Sequence, residues 1–292
     1  MASYISAMAK SGDVICYVID STDIVARAEQ IHKTSSAVTA ALGRLLTAAS
    51  LMGARLKSDK ESVNLQLKGN GPAGSFLAIG ESSGNVRGYV QNPVVELPLN
   101  QNGKLDVAGV VGREGFLYVV RDLGYGEPYI GSTPIVSGEI AEDITHYYAT
   151  SEQTPTVCSL GVLVNTDLTV INAGGFIVQL LPDASDDVID IIEANTNAMP
   201  PITQLLSEGK SPEDIADMLL AGFEYDILER RTTEYRCDCS PERVIRILSS
   251  IDAEDLEQMA REQPVTEVTC HFCPKVYRFT PDELRNLAQR VI

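Results

Sequence analysis

The chain has 292 residues, 44% of them hydrophobic, and its formal net charge is −17. This composition excludes a disordered chain, and the length allows a sizeable core and two domains. The negative charge repels phosphate backbones, so nucleic acid is excluded as a partner.

The first part of the chain predicts a buried strand followed by two helices. Residues 13–20 are rich in Val and Ile, residues 22–33 fit a helix, and residues 35–57 fit a longer Ala- and Leu-rich helix. The longer helix is nearly long enough to span a bilayer. Arg44 interrupts it and polar strands follow, so we interpret it as a buried core helix and expect no membrane association.

A glycine-rich stretch at 69–74 formally matches a dinucleotide-binding loop. That loop requires a helix directly after it, to offer amides to a pyrophosphate. Here a strand precedes the glycines, with Val63, Leu65 and Leu67 alternating with polar residues, and residues 76–80 form another apolar run. We therefore predict a β-hairpin and no nucleotide site.

The next hundred residues predict strands joined mostly by short turns. The predicted order is a strand at 86–90, a hairpin turn at Asn102-Gly103 before 104–107, a strand at 115–122, a loop at 124–134, an acidic helix at 138–153, and strands at 157–164, 168–171 and 175–181. Such an order predicts an α+β domain with an antiparallel sheet over residues 1–181. No catalytic constellation is present, and His32 and His146 are expected in isolated surface or capping roles.

The composition changes after Pro182. Residues 182–231 carry 12 acidic and 3 basic side chains and predict short helices at 186–198, at 202–208 and from Ser211 to Gly222. Short helices are marginal alone, and crowded negative charge weakens them further. This acidic helical linker is either an ordinary connector or a segment that stays folded only while its neighbours do.

Residues 232–292 predict a small second domain after the linker. Ser240-Pro241, Asp252 and Thr280-Pro281 each open a short helix, and Val268 and Tyr277 lie on two short strands. So few apolar residues bury too little surface for comfortable stability, and a bound metal would have to supply the difference.

Four cysteines in this domain predict that metal site. Cys237 and Cys239 form one pair, and Cys270 and Cys273 form the other about thirty residues later. Two close thiol pairs around one folded segment are typical of a tetrahedral all-thiolate site, here for one Zn²⁺ per chain. His271 lies between two ligands but is expected to be exposed, since four cysteines complete the shell.

The zinc site leaves two interpretations open. Zinc-bound thiolates react with oxidants, and loss of the metal would unfold a domain that depends on it, which gives an oxidation-triggered switch. The alternative is a structural zinc ribbon that never reacts. Cys16 and Cys158 lie in apolar strand-like runs and are expected to be buried. With no signal-peptide pattern at the N-terminus, we expect a reducing, cytoplasmic setting.

Several motifs resemble the heat shock protein 33 family of redox-regulated holdase chaperones. The resemblance covers essentially the whole chain and is carried by Glu234-Tyr235-Arg236-Cys237-Asp238-Cys239-Ser240, Cys270-His271-Phe272-Cys273, Gly43-Arg44-Leu45-Leu46-Thr47-Ala48-Ala49, Gly69-Asn70-Gly71-Pro72 and Val86-Arg87-Gly88-Tyr89-Val90-Gln91-Asn92-Pro93.

The resemblance implies a non-enzymatic function. In the reduced state the four cysteines would bind zinc and the chaperone would be inactive. Oxidants would form the disulfides Cys237–Cys239 and Cys270–Cys273 and release the metal. The linker would then unfold, and the chain would dimerise and hold unfolding client proteins without ATP. The alternatives are a thiol–disulfide oxidoreductase that uses Cys270 and Cys273, and a structural zinc module that docks a protein.

Overall fold

A long Ala- and Leu-rich helix packs against two antiparallel sheets. The computed structural model describes residues 2–182 and 184–289. In it, helix α2 (Ser36–Gly53) buries 16 of its 18 residues. By length and composition α2 could cross a membrane, but 89% of it is buried within the protein, which confirms the prediction of a core helix.

The chain divides into two units, with the boundary between Arg236 and Cys237. In the first unit, the strands are β1 (Ala2–Ala9), β2 (Val14–Asp20), β3 (Ser62–Gly69), β4 (Ser75–Glu81), β5 (Val86–Val90), β6 (Gly115–Asp122), β7 (Tyr129–Pro134), β8 (Thr156–Val164), β9 (Val170–Leu180) and β10 (Tyr225–Thr233). The remaining helices of this unit are α1 (Thr22–His32), α3 (Val107–Val111), α4 (Ala141–Thr150), α5 (Asp186–Ala198), α6 (Ile202–Ser207) and α7 (Pro212–Leu219).

The first sheet has the order β10-β1-β2-β9-β8, and the second has the order β5-β4-β3-β6-β7. All neighbouring strands are antiparallel. Close packing of α2 on β4 requires glycine, because a Cβ atom at Gly80 would lie 1.9 Å from the carbonyl oxygen of Ala49. The main core, formed by α2 and the facing sides of both sheets, includes Tyr4, Leu46 and Leu65.

A second core covers the other face of the first sheet. Ile5, Val18 and Val178 on the strands pack with Ile192 of α5 and Ile215 of α7. The helices predicted for the acidic stretch therefore exist, and they lie on this sheet within the first unit. Their apolar faces are buried against this sheet, and this packing stabilises helices that are too short to be stable alone.

Four sequence predictions in this unit are wrong. Residues 225–231 were expected in a helical linker, but they belong to β10, which pairs with β1. The predicted loop at 124–134 contains β7. Residues 104–107 follow a turn but form no strand, and α3 begins at Val107. Finally, β9 is one continuous strand where two were expected. β1 was not predicted at all.

The second unit is small and contains three helices and one hairpin in its described part. These are α8 (Pro241–Leu248), α9 (Ala253–Glu262), β11 (Thr266–Thr269), β12 (Val276–Phe279) and α10 (Pro281–Ala288). Its buried apolar core has eight residues, namely Val244, Leu248, Leu256, Ala260, Phe279, Leu284, Leu287 and Ala288. The predicted helix starts are confirmed, since the side chains of Ser240 and Thr280 accept hydrogen bonds from backbone amides of α8 and α10.

Candidate metal centre

The first cysteine pair lies directly before α8. The Oγ atom of Ser240 accepts a hydrogen bond from the Arg243 amide at 3.2 Å and caps α8, which begins at Pro241, two residues after Cys239. Asp238, between the two cysteines, forms an ion pair with Arg243, whose Nη1 lies 2.6 Å from Oδ2. The Cys-x-Cys segment is thereby fixed against the start of α8.

The second cysteine pair lies in the turn that joins β11 and β12. The Cys270 amide donates to the carbonyl oxygen of Lys275 at 3.0 Å, which closes the turn. Val268 on β11 pairs with Tyr277 on β12. Cys270 and Cys273 therefore both lie in the short turn of this hairpin.

The four sulfurs form one compact cluster. All four Sγ atoms lie within 4.8 Å of one another. Cys237 and Cys270 are 3.7 Å apart, and Cys239 and Cys273 are 3.4 Å apart. A tetrahedral zinc site with Zn–S bonds of about 2.3 Å has sulfur–sulfur edges of about 3.8 Å. The donor set and its spacing therefore fit a zinc ion, which the hydrogen-bonded loops would hold with little rearrangement.

The close approach of the four cysteines shifts the pKa values of Cys237, Cys239 and Cys273 in different directions. Burial, with the neighbouring thiols of Cys239 and Cys270, raises the pKa of Cys237, and burial also raises the pKa of Cys273. Burial acts in the same direction on Cys239, but hydrogen bonds outweigh it and lower the pKa of that thiol. The first of these bonds comes from the hydroxyl of Tyr277, whose oxygen lies 3.0 Å from the sulfur. A divalent cation would displace the remaining protons, because thiolates are the ligands.

The other cysteines and His271 lie outside the cluster. Cys16 is fully buried on β2, as predicted, whereas Cys158 on β8 is only partly buried. Burial raises the pKa of both thiols to about 12, so both are unreactive at neutral pH. His271 is exposed, as predicted.

The residues just before Cys237 form hydrogen bonds with β5, within the first unit. The Val86 amide donates to the Glu234 carbonyl at 3.0 Å, and the Arg236 amide donates to the Val86 carbonyl at 2.9 Å. The Tyr235 hydroxyl donates to the Gly88 carbonyl at 2.7 Å and lies 3.1 Å from Nε2 of His32. The expectation that His32 is isolated is therefore wrong, because its ring contacts Tyr235.

A family profile described as Hsp33 protein matches residues 3–280. The chain belongs to the Hsp33 family. Among its relatives, the 33 kDa chaperonin of Acetivibrio thermocellus is 46% identical over 290 residues, covering 99% of this chain and 98% of the relative. The 33 kDa chaperonin of Clostridium beijerinckii is 45% identical over 283 residues, covering 97% of each chain.

A solved structure supports the same assignment. The crystal structure of a 33 kDa chaperonin, a heat shock protein 33 homolog, from Thermotoga maritima matches with a TM-score of 0.90 and 38% identity, covering 99% of this chain and 98% of that one. The resemblance stated from the motifs is confirmed, and so is the α+β fold class. Membership in Hsp33 assigns this chain to a chaperone family.

Proposed function

We propose that this chain is a redox-regulated, ATP-independent holdase that binds unfolding client proteins under oxidative stress in the cytoplasm. The observation that carries the proposal is the clustering of Cys237, Cys239, Cys270 and Cys273 within 4.8 Å. Zinc, when bound, would hold these four sulfurs as thiolates and would contribute no redox chemistry of its own. In that reduced state the chaperone is inactive.

The activating step is oxidation of the thiolates by a peroxide. Cys237 and Cys239 give two electrons as one S–S bond forms, and Cys270 and Cys273 give two more as the second forms. Each pair reduces one hydrogen peroxide, whose O–O bond breaks, and two protons are taken up to give two waters. Both disulfides remove ligands, so the metal ion is released.

Release of the metal is coupled to exposure of apolar surface. The small core of the second unit has eight buried apolar residues and depends on the metal site for its stability. The acidic linker at 182–231 then unfolds from the first sheet, since its net negative charge favours separation of its helices. The uncovered sheet residues, such as Val18 and Val178, become available to clients, and the active form is a homodimer.

The test compares zinc content, thiol count and chaperone activity before and after peroxide at mildly elevated temperature. We expect zinc release, loss of four thiols and suppression of light scattering by a thermally unfolding model client. A Cys270→Ser, Cys273→Ser variant, which lacks two of the four ligands, should release no zinc on peroxide treatment and should lose only the thiols of Cys237 and Cys239. If zinc leaves and client aggregation proceeds unchanged, the proposal fails.

The two alternatives are distinguished by the same samples. A thiol–disulfide oxidoreductase would reduce insulin catalytically, but Cys270 and Cys273 lie in a β-turn and not at the start of a helix, where such enzymes place this pair. A structural docking module would lose its function on cysteine oxidation instead of gaining it.

A further inference from the structure

Within the described part of the chain, Arg55, just beyond the end of α2, donates hydrogen bonds to neutral acceptors only. Its Nη1 donates to the Tyr148 hydroxyl and its Nη2 to Oε1 of Gln179, both at 2.5 Å. The guanidinium lies over the rings of Tyr17 and Tyr148, with its central carbon 4.9 and 5.4 Å from the ring centroids. Gln179 is buried and its amide group also donates to Thr156, so this acceptor is held in place.

The positive charge of Arg55 lacks a counterion in residues 2–182 and 184–289, since no carboxylate there pairs with it. The Nε atom is inaccessible to solvent and has no hydrogen-bond partner. Burial raises the pKa of Tyr4 and of Tyr148, so these nearby phenols stay neutral. An uncompensated charge of this kind is costly unless an anion accompanies it.

A cavity of about 160 Å³ lies beside this guanidinium. Its polar lining consists of Arg55, Arg121, Tyr17 and Tyr148, which come from four different elements or their ends. Arg121 pairs with Glu152 at 3.1 Å, and that carboxylate does not line the cavity. Since one water occupies about 30 Å³ in the liquid, the cavity has room for a group of five heavy atoms.

A second, larger pocket borders the same arginine. Arg55 also lines a second, more open pocket of about 470 Å³, together with Thr154, Pro155 and Leu181. A solute in the second pocket therefore reaches the same guanidinium that borders the first.

We propose that Arg55 and Arg121 bind a small oxyanion, with the chemistry of inorganic phosphate or sulfate, in this cavity. Guanidinium groups offer planar pairs of N–H donors that match the oxygens of such anions, and the hydroxyls of Tyr17 and Tyr148 add neutral donors. The anion supplies the missing counterion for Arg55 and an acceptor for its buried Nε. The site lies in the first unit and does not depend on the state of the cysteines.

The experiment is a titration of the reduced, zinc-loaded full chain with inorganic phosphate. Binding is measured by calorimetry and by the linewidth of the phosphorus NMR signal. We expect saturable binding of one phosphate per chain, competition by sulfate and a higher melting temperature than in chloride of equal ionic strength. Arg55→Gln should weaken binding at least tenfold, and Arg121→Gln several-fold.

Arg230→Gln is the matched control, because it removes the same charge from an exposed ion pair with Glu213 elsewhere in the first unit. It should bind phosphate with wild-type affinity. If Arg55→Gln does not fold, Arg121→Gln decides the question, since this side chain is 31% exposed and tolerates replacement better. Equal effects of phosphate and chloride on the wild type, or unchanged affinity in the arginine variants, would overturn the proposal.

Discussion

The Tyr277 hydroxyl stabilises the thiolate form of Cys239, because it donates to Sγ at 3.0 Å. A donor to a ligand sulfur reduces the charge that the metal site must otherwise accommodate and orients the ligand. The cysteines themselves could be predicted from the sequence because their spacing is a local signal. The role of Tyr277 could not, because only the fold of the second unit brings its hydroxyl beside Cys239, which lies 38 residues earlier in the chain.

Tyr277→Phe should weaken zinc binding by roughly tenfold while leaving the fold intact, because only the hydroxyl is lost. The measurement is competition with a chromogenic chelator under reducing conditions. Tyr225→Phe is the control, since it removes a hydroxyl that contacts Asp217 in the first unit. Identical zinc affinity in Tyr277→Phe and wild type would show that this hydrogen bond does not support the site.

His32 should make the stability of the first unit depend on pH. Burial lowers the pKa of His32, and a hydrogen bond with the Gly88 backbone only partly opposes this. Because the folded state disfavours the charged ring, this contribution to stability is present above the unfolded pKa of about 6.5 and is lost as pH falls through the folded pKa.

We therefore expect the melting temperature of the wild type to fall between about pH 7.5 and pH 5.5 by more than that of His32→Gln. The measurement is thermal denaturation followed by circular dichroism at both pH values. His271→Gln, which makes the same substitution at an exposed histidine of the other unit, is the control. Parallel pH profiles for wild type and His32→Gln would contradict the prediction.

The helices of the acidic segment differ in whether a serine side chain caps their first turn. Ser211 and Asp214 form a reciprocal capping box at the start of α7. Ser185, at the corresponding position of α5, makes no side-chain hydrogen bond to its helix. The two serines therefore contribute unequally to the stability of the helices that they precede.

Ser211→Ala should destabilise the first unit by about 1 kcal/mol, the usual cost of losing an N-cap side chain. Ser185→Ala should have a clearly smaller effect, because no capping bond is lost. Denaturant unfolding followed by circular dichroism measures both. Under the proposed function, Ser211→Ala should also lower the temperature at which oxidised protein begins to suppress client aggregation. Equal destabilisation by both substitutions would show that the capping box contributes little.

The sequence predicted helices and hairpins better than distant strand pairings. The helix starts at Ser211, Ser240 and Thr280 carry local capping signals, and these predictions match the structure. In β10, by contrast, the half-buried and exposed side chains alternate but are largely polar, so the segment resembled a continuation of the linker. It becomes a strand because β1, more than two hundred residues earlier, provides its hydrogen-bond partners.

The environment of Arg55 could likewise not be predicted from the sequence. In the sequence it marks the end of a long apolar helix, where a basic residue is ordinary. Only the fold brings Tyr148 and Gln179 to its guanidinium, from positions 93 and 124 residues away. The environment of such a residue depends on long-range contacts, which local periodicity does not contain.

For the whole molecule, removal of zinc under reducing conditions should affect the two units differently. Under the proposed function, the zinc site contributes roughly 10 kcal/mol to folding, and we expect that the eight-residue core of the second unit does not replace it. The main core around α2 includes no residue of the linker helices α5–α7 and should stay folded.

Hydrogen exchange followed by mass spectrometry on chelator-treated, reduced protein tests this prediction. Amides of α8, α9 and α10 should lose protection, while amides of α2 should keep it and serve as the internal control. Retained protection across the second unit without metal would mean that its fold is independent of the ion, and the proposed switch would then have no trigger.

The position of β10 at the end of its sheet has a consequence for assembly. Over the eight residues of β1, from Ala2 to Ala9, the outer backbone groups are matched by β10 in antiparallel register. An unmatched strand edge is a template for any extended polypeptide. While it is folded, β10 therefore acts as an intramolecular competitor that excludes other chains from this edge. Its departure together with α5–α7 would create an edge-pairing site of defined length and direction beside the apolar face.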